Sequence, residues 1–114
     1  MENNMVQYIL RCLKGNDPWV FLSWGAKNFQ IYGANGLRFK THGFKHKNFV
    51  RITYNEGTDL FDIVLEKNGK VHMKGEEKKR LEGVFFDELQ ETVDSLVEKT
   101  DNYAESIMKE YSIG

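Results

Sequence analysis

Between Asn35 and Tyr54 the chain reads NGLRFKTHGFKHKNFVRITY, and no other stretch constrains the fold as strongly. It opens on Asn-Gly, the strongest short-range hairpin signal, and continues as two runs that alternate in character. Leu37, Phe39 and Thr41 fall on one face of the first run, and Arg38, Lys40 and His42 on the other. In the second run Val50, Ile52 and Tyr54 share a face, while Phe49, Arg51 and Thr53 share the opposite one. Successive strand side chains point to opposite sides, so two strands of one sheet are expected. Their inner face is apolar, and their outer face is basic with one aromatic.

Tight turns extend this pair in both directions. Trp19–Trp24 is a nearly continuous apolar run between Pro18 and Gly25, as expected for a covered strand. Asn28–Tyr32 alternates, with Phe29 and Ile31 on one face, and Gly33-Ala34-Asn35-Gly36 turns the chain into the central pair. A basic loop, Gly43–Asn48, joins its two strands. Glu56-Gly57-Thr58 then turns into Leu60–Glu66, where Phe61, Ile63 and Leu65 face the core. Asn68-Gly69 is a second hairpin signal, expected to lead into a short strand, Lys70–Lys74, before the charged Gly75–Arg80. Consecutive strands joined by tight turns make an antiparallel meander the economical topology.

The ends of the chain follow the helical period. Val6, Ile9, Leu10 and Leu13 fall at i, i+3, i+4 and i+7 of a helix capped by Asn3 or Asn4 and closed by Gly15-Asn16. Beyond Val84 the stripe Phe86, Leu89, Val93, Leu96 and Val97 suits a helix lying across the apolar face of the sheet. Tyr103, Ile107, Met108 and Tyr111 continue that spacing, either as an extension or as a second helix begun at Thr100 or Asp101. The expected fold is therefore α+β in a single domain, 1–114. It comprises an N-terminal helix (3–14), an antiparallel β-meander of about five strands (18–74), and a C-terminal helix or helix pair (84–111) packed on one face of the sheet.

Cys12 is the only cysteine, so no intrachain disulfide can form. No apolar run approaches the ~20 residues that cross a bilayer, and the start lacks a signal-peptide apolar region. A cytoplasmic protein that does not contact membranes is expected. The net charge of −1 hides an asymmetry. Residues 1–55 hold eight Lys/Arg against two acids, a net of +6, whereas residues 56–114 hold eight against fifteen, a net of −7. Either one surface attracts anions, or the two halves neutralise each other in the fold.

The outer face of the central strands carries the sharpest functional reading. Single-stranded nucleic acid is held by cations that track the backbone and aromatics on which bases stack. Arg38, Lys40 and Arg51 with Phe49 among them, Lys45 and Lys47 in the adjoining loop, and Lys27 as a further phosphate contact supply both ingredients. The plainer alternative is a solvated face whose charges blunt edge pairing. His42, His46 and His72 lack metal-ligand spacing to each other or to Cys12, so no metal site is expected. Asp87, Glu88, Glu91 and Asp94 form an acidic helix surface without a partner that would raise a pKa. The Gly-rich turn before the central pair leads into a strand rather than a helix N-terminus, which excludes a phosphate loop. No catalytic constellation or cofactor motif appears, so a non-enzymatic protein is expected. It binds single-stranded DNA or RNA, or acts as a small adaptor or inhibitor on a host or phage protein. Its wide C-terminal stripe also allows a homodimer through the C-terminal helix.

Several runs, in order, carry a resemblance. Gly25–Phe29 (GAKNF), Asn35–Lys40 (NGLRFK), Asn48–Asn55 (NFVRITYN) and Phe85–Leu89 (FFDEL) are similar to motifs of a group of small proteins carried by bacteriophages and mobile elements of gut bacteria. The resemblance spans most of Tyr8–Val97. The chain departs from that pattern at Asp59-Leu60-Phe61, where relatives often have Asp-Thr-Tyr, and at Thr100–Tyr103, where they often have Thr-Gly-Leu-Tyr. It implies a phage or mobile-element habitat and a shared fold, with no catalytic residues. The order of elements also resembles the transcriptional-coactivator and whirly type of single-stranded-DNA binder, without a shared motif.

Overall fold

The structure is a computed structural model that describes residues 4–15, 17–43 and 45–98. Helix α1 (Asn4–Lys14) buries Val6, Ile9 and Leu13, the stripe that its periodicity predicts. Two expectations fall outside the described residues: the cap at Asn3, and the helix through Tyr103, Ile107, Met108 and Tyr111.

A first correction concerns Trp19–Trp24. This run is not a strand; Pro18–Ser23 forms a short helix, α2. Its start is written in Asp17-Pro18. The Asp17 carboxylate accepts the Trp19 backbone N–H at 3.1 Å, and proline occupies the first helical position, where its missing N–H is no loss. A continuous apolar run cannot by itself separate strand from helix, and the cap decides it here. Trp24 follows the helix and is fully buried, and its indole Nε1–H donates to Asp94 Oδ1 at 3.0 Å.

Five antiparallel strands lie side by side in chain order: β1 (Lys27–Tyr32), β2 (Gly36–Lys40), β3 (Phe49–Asn55), β4 (Leu60–Lys67) and β5 (Glu76–Val84). The sheet thus runs from Lys27 to Val84. Its fifth member is not Lys70–Lys74, which is the second correction. Residues 68–75 form a loop folded back on itself, with Lys70 N–H donating to Met73 O and Met73 N–H to Lys70 O. Gly69 lets this loop come close: a Cβ there would lie 2.5 Å from Glu66 Oε1.

In the central register Arg38 pairs with Arg51, and Arg51 with Val64. Leu37, Phe39, Val50, Ile52, Phe61, Ile63 and Leu65 share the inner face. Against them pack Val6, Ile9 and Leu13 of α1, Trp24, and Leu89, Val93 and Val97 of helix α3 (Leu89–Val97). Phe86 does not join this core, because it sits in a 3₁₀ turn (Phe86–Glu88) ahead of α3 and is more than half exposed. The apolar stripe of α3 is spent on the sheet, so the described part of the C-terminal helix presents no such stripe to a second copy.

Candidate functional site

The outer face departs most from expectation. Arg38 and Arg51 do project opposite the helices, but they are only 4% and 7% exposed. Between them lies Glu66, which is fully buried. Its place follows from the same alternation: with Phe61, Ile63 and Leu65 inward, Glu66 shares the outer face of the two arginines.

Arg38 meets Glu66 side-on, Nε to Oε2 and Nη2 to Oε1, both at 2.9 Å. Such a two-pronged pair matches the guanidinium fork to the carboxylate. The remaining Arg38 donors are also occupied. Nη1 donates to Gln30 Oε1 at 2.8 Å, and Nη2 reaches Lys70 O at 2.9 Å and Met73 O at 3.1 Å. Arg38 Cζ stands 3.6 Å above the Phe49 ring centroid, so the aromatic expected to stack bases holds a guanidinium instead. Phe49 itself is 1% exposed.

Arg51 completes the cluster. Its Nη1 donates to Tyr32 Oη at 2.7 Å, and its Nε lies 2.8 Å from Glu66 Oε2. That Nε–H is not aimed along the short contact and has no aligned acceptor among the described residues. The Arg51–Glu66 contact is therefore charge pairing without a well-formed hydrogen bond. Burial would raise the Glu66 pKa, but the Arg38 bonds, the Gly75 N–H and the two guanidinium charges outweigh it and hold the carboxyl below its ordinary value. Burial likewise opposes ionisation of Tyr32, yet the bonds and charges of Arg51 and Lys74 bring its pKa below the usual phenol value.

The loop 68–75 seals this face. Lys70 O and Met73 O take Arg38, Gly75 N–H donates to Glu66 Oε1 at 2.8 Å, and Gln30 Nε2–H donates to Val71 O. Arg38, Arg51 and Phe49 are thus structural, and the expected open row of cations is not present at the two arginines. Burying two arginines on a half-covered sheet demanded an internal anion and backbone acceptors, and β4 with its following loop supplies both.

Lys45 also has structural work. Its ammonium donates to Ser95 O at 2.7 Å, and the backbone N–H groups of Lys45 and His46 reach Val97 O at 2.8 and 3.2 Å. These donors close the carbonyl end of α3, where a cation is favoured. Gly43 permits the approach, since a Cβ there would lie 2.4 Å from Val97 O. His46 is buried with Nε2 3.0 Å from Phe49 O, which requires the tautomer protonated at Nε2. Burial pushes its pKa below the ordinary histidine value against that bond, and Lys78 adds to the lowering. Of the predicted residues, Lys27, Lys45 and Lys47 are exposed and Lys40 is half-buried; Lys27 and Lys40 are cross-strand partners.

A second feature lies on the helical side. A cleft of about 500 Å³ opens between α1 and the start of α3, lined by Tyr8, Arg11, Cys12, Phe86, Asp87 and Glu91 among others. Phe85 and Phe86, consecutive in the chain, are both more than half exposed. Burial raises the Cys12 pKa against the lowering effects of Tyr8 and Arg11, so the cleft presents a protonated thiol, the unreactive form. Asp87, Glu88 and Glu91 are exposed beside the two phenylalanines, whereas Asp94 is half-buried on Trp24.

Family models, curated proteins and solved structures yield no match to this chain.

Proposed function

We propose that this chain is a non-enzymatic protein-interaction module, of the phage or mobile-element type that its sequence resembles, and that it seats a partner segment in the cleft between α1 and α3. One observation carries the reading: Phe86 lines a cleft of about 500 Å³, and it and its chain neighbour Phe85 both stand more than half exposed. Burying a side chain of that size contributes about 1.5–3 kcal/mol, and aromatics are enriched where partners dock. Asp87, Glu88 and Glu91 beside them favour a partner with an apolar anchor flanked by lysine or arginine.

Selection from a displayed random-peptide library tests this directly. Enriched peptides should pair an aromatic or aliphatic anchor with basic residues, and should lose binding to Phe86→Ser and to Glu91→Lys. A library that yields nothing, or peptides indifferent to both substitutions, removes the reading.

Single-stranded nucleic acid remains the competing reading, supported by the Lys27–Lys40 cross-strand pair and exposed Lys47. Three phosphate contacts would give a log–log salt slope of only about −2. A labelled-oligonucleotide titration at two salt concentrations, with Lys40→Glu and Lys47→Glu, decides it. Salt-sensitive binding lost in those variants favours nucleic acid over the adaptor.

A further inference from the structure

The two edges of the sheet differ in kind. β5 carries Glu76, Glu77, Lys78, Lys79, Arg80 and Glu82, a density of charge that resists pairing with another strand. β1, KNFQIY, carries one charge, Lys27, and its flanks are apolar and exposed. On the inner side Phe29 is 42% and Ile31 64% exposed, and the neighbouring α2 shows Trp19 at 77% and Leu22 at 62%. These elements meet through Phe21, which stacks on Phe29. On the outer side the loop tied to β1 by Gln30 shows Val71 at 40% and Met73 at 64%.

We infer that the β1 edge is the interface for a second copy of this chain, giving a two-fold dimer with one continuous ten-stranded sheet. Self-complementarity argues for that occupant. With Gln30 of each copy on the axis of an antiparallel pair, Ile31 of one copy falls near Phe29 of the other, and Lys27 lies beyond the irregularity at Asn28, away from its counterpart. Area argues for it as well. At about 180 Å² per large apolar side chain, the six exposed residues offer roughly 600 Å² per copy. Two copies then supply about 1,200 Å² before any backbone is counted, above the ~1,000 Å² that a specific interface needs. The charged β5 edge ends the association, so the assembly closes at two copies.

Sedimentation equilibrium across a hundredfold range of concentration should show reversible doubling of the 13.3 kDa mass. Ile31→Lys should shift the midpoint at least tenfold toward monomer, and Trp19→Ser should do the same without touching the sheet. Phe86→Ser, at the α1–α3 cleft, should dimerise like the parent, which separates this interface from the proposed partner cleft. Hydrogen exchange should show the amides of 28–32 gaining protection as concentration rises, with those of 76–84 unchanged. The inference is overturned by a monomer at every concentration, by a dimer that survives both substitutions at the edge, or by β1 amides equally protected at all concentrations.

Discussion

Replacing Glu66 with glutamine removes one negative charge from between two buried guanidiniums and changes the shape very little. Glu66 is fully buried and accepts or pairs with Arg38 Nε, Arg38 Nη2, Arg51 Nε and Gly75 N. Glutamine retains one acceptor oxygen, so part of the hydrogen bonding survives, but the two arginines become uncompensated. Breaking a buried ion pair on one side costs about 3–5 kcal/mol. Against a total stability of about 5–15 kcal/mol this is a large share. We expect a loss near the lower end, about 3 kcal/mol, because of the retained acceptor. Urea unfolding followed by the fluorescence of buried Trp24 reads it as a midpoint lowered by roughly 1–3 M at unchanged slope. The triple variant Arg38→Met, Arg51→Leu, Glu66→Leu should recover most of that loss, since buried ion clusters can often be exchanged for apolar packing. Hydrogen exchange in 68–75 should nevertheless accelerate, because Lys70 O and Met73 O lose their donor. A Glu66→Gln shift below about 0.5 kcal/mol would mean that these charges reach water, since only water-accessible charges tolerate the change so well.

The pH dependence follows from the same buried groups. The folded pKa of His46 lies below 6.5, so the unfolded chain binds that proton first, and stability should fall as the pH drops from about 6.5 through the lowered folded value. Glu66 adds a second loss: its contribution to stability is fully present above its unfolded pKa near 4.5 and disappears as the pH falls through its depressed folded value. Thermal melts from pH 8 to 3 should show both limbs, and His46→Gln should flatten the upper one. Gly43→Ala should destabilise by about 1–3 kcal/mol, because its methyl must displace the Val97 carbonyl at the end of α3; calorimetry gives the number. Asp17→Ala should cost about 1 kcal/mol by uncapping α2, visible in urea melts and as a changed emission of exposed Trp19.

How much of this could be read from the chain depends on the distance over which each signal acts. Alternation at Leu37–Thr41 and Phe49–Tyr54 placed Leu37–Lys40 of β2 and Phe49–Tyr54 of β3 on their proper faces, because strand period is local. Whether the outer face meets water is decided by residues far along the chain. The period of Leu60–Glu66 puts Glu66 on that face too, a sign of an internal cluster that the expectation of an open basic face did not take up. The cover was less legible. Asn68-Gly69 signals a tight hairpin, yet Arg38 recruits the Lys70 and Met73 carbonyls and draws the segment across the sheet as a loop. At Trp19–Trp24 the apolar run was ambiguous, and the deciding signal, Asp17-Pro18, sat just outside it. Lys45 reads as a free cation from composition alone, since the α3 carbonyls that bind it lie fifty residues away.

The arginines of β2 and β3, Arg38 and Arg51, are sealed inside the fold. Proton-detected nitrogen-15 spectra of the arginine side chains test it most directly. The Nε–H signals of Arg38 and Arg51 should persist at neutral pH and exchange with solvent slowly, while that of exposed Arg11 exchanges fast. Rapid exchange at Arg38 and Arg51, matching Arg11, would contradict it and reopen the outer face as a binding surface.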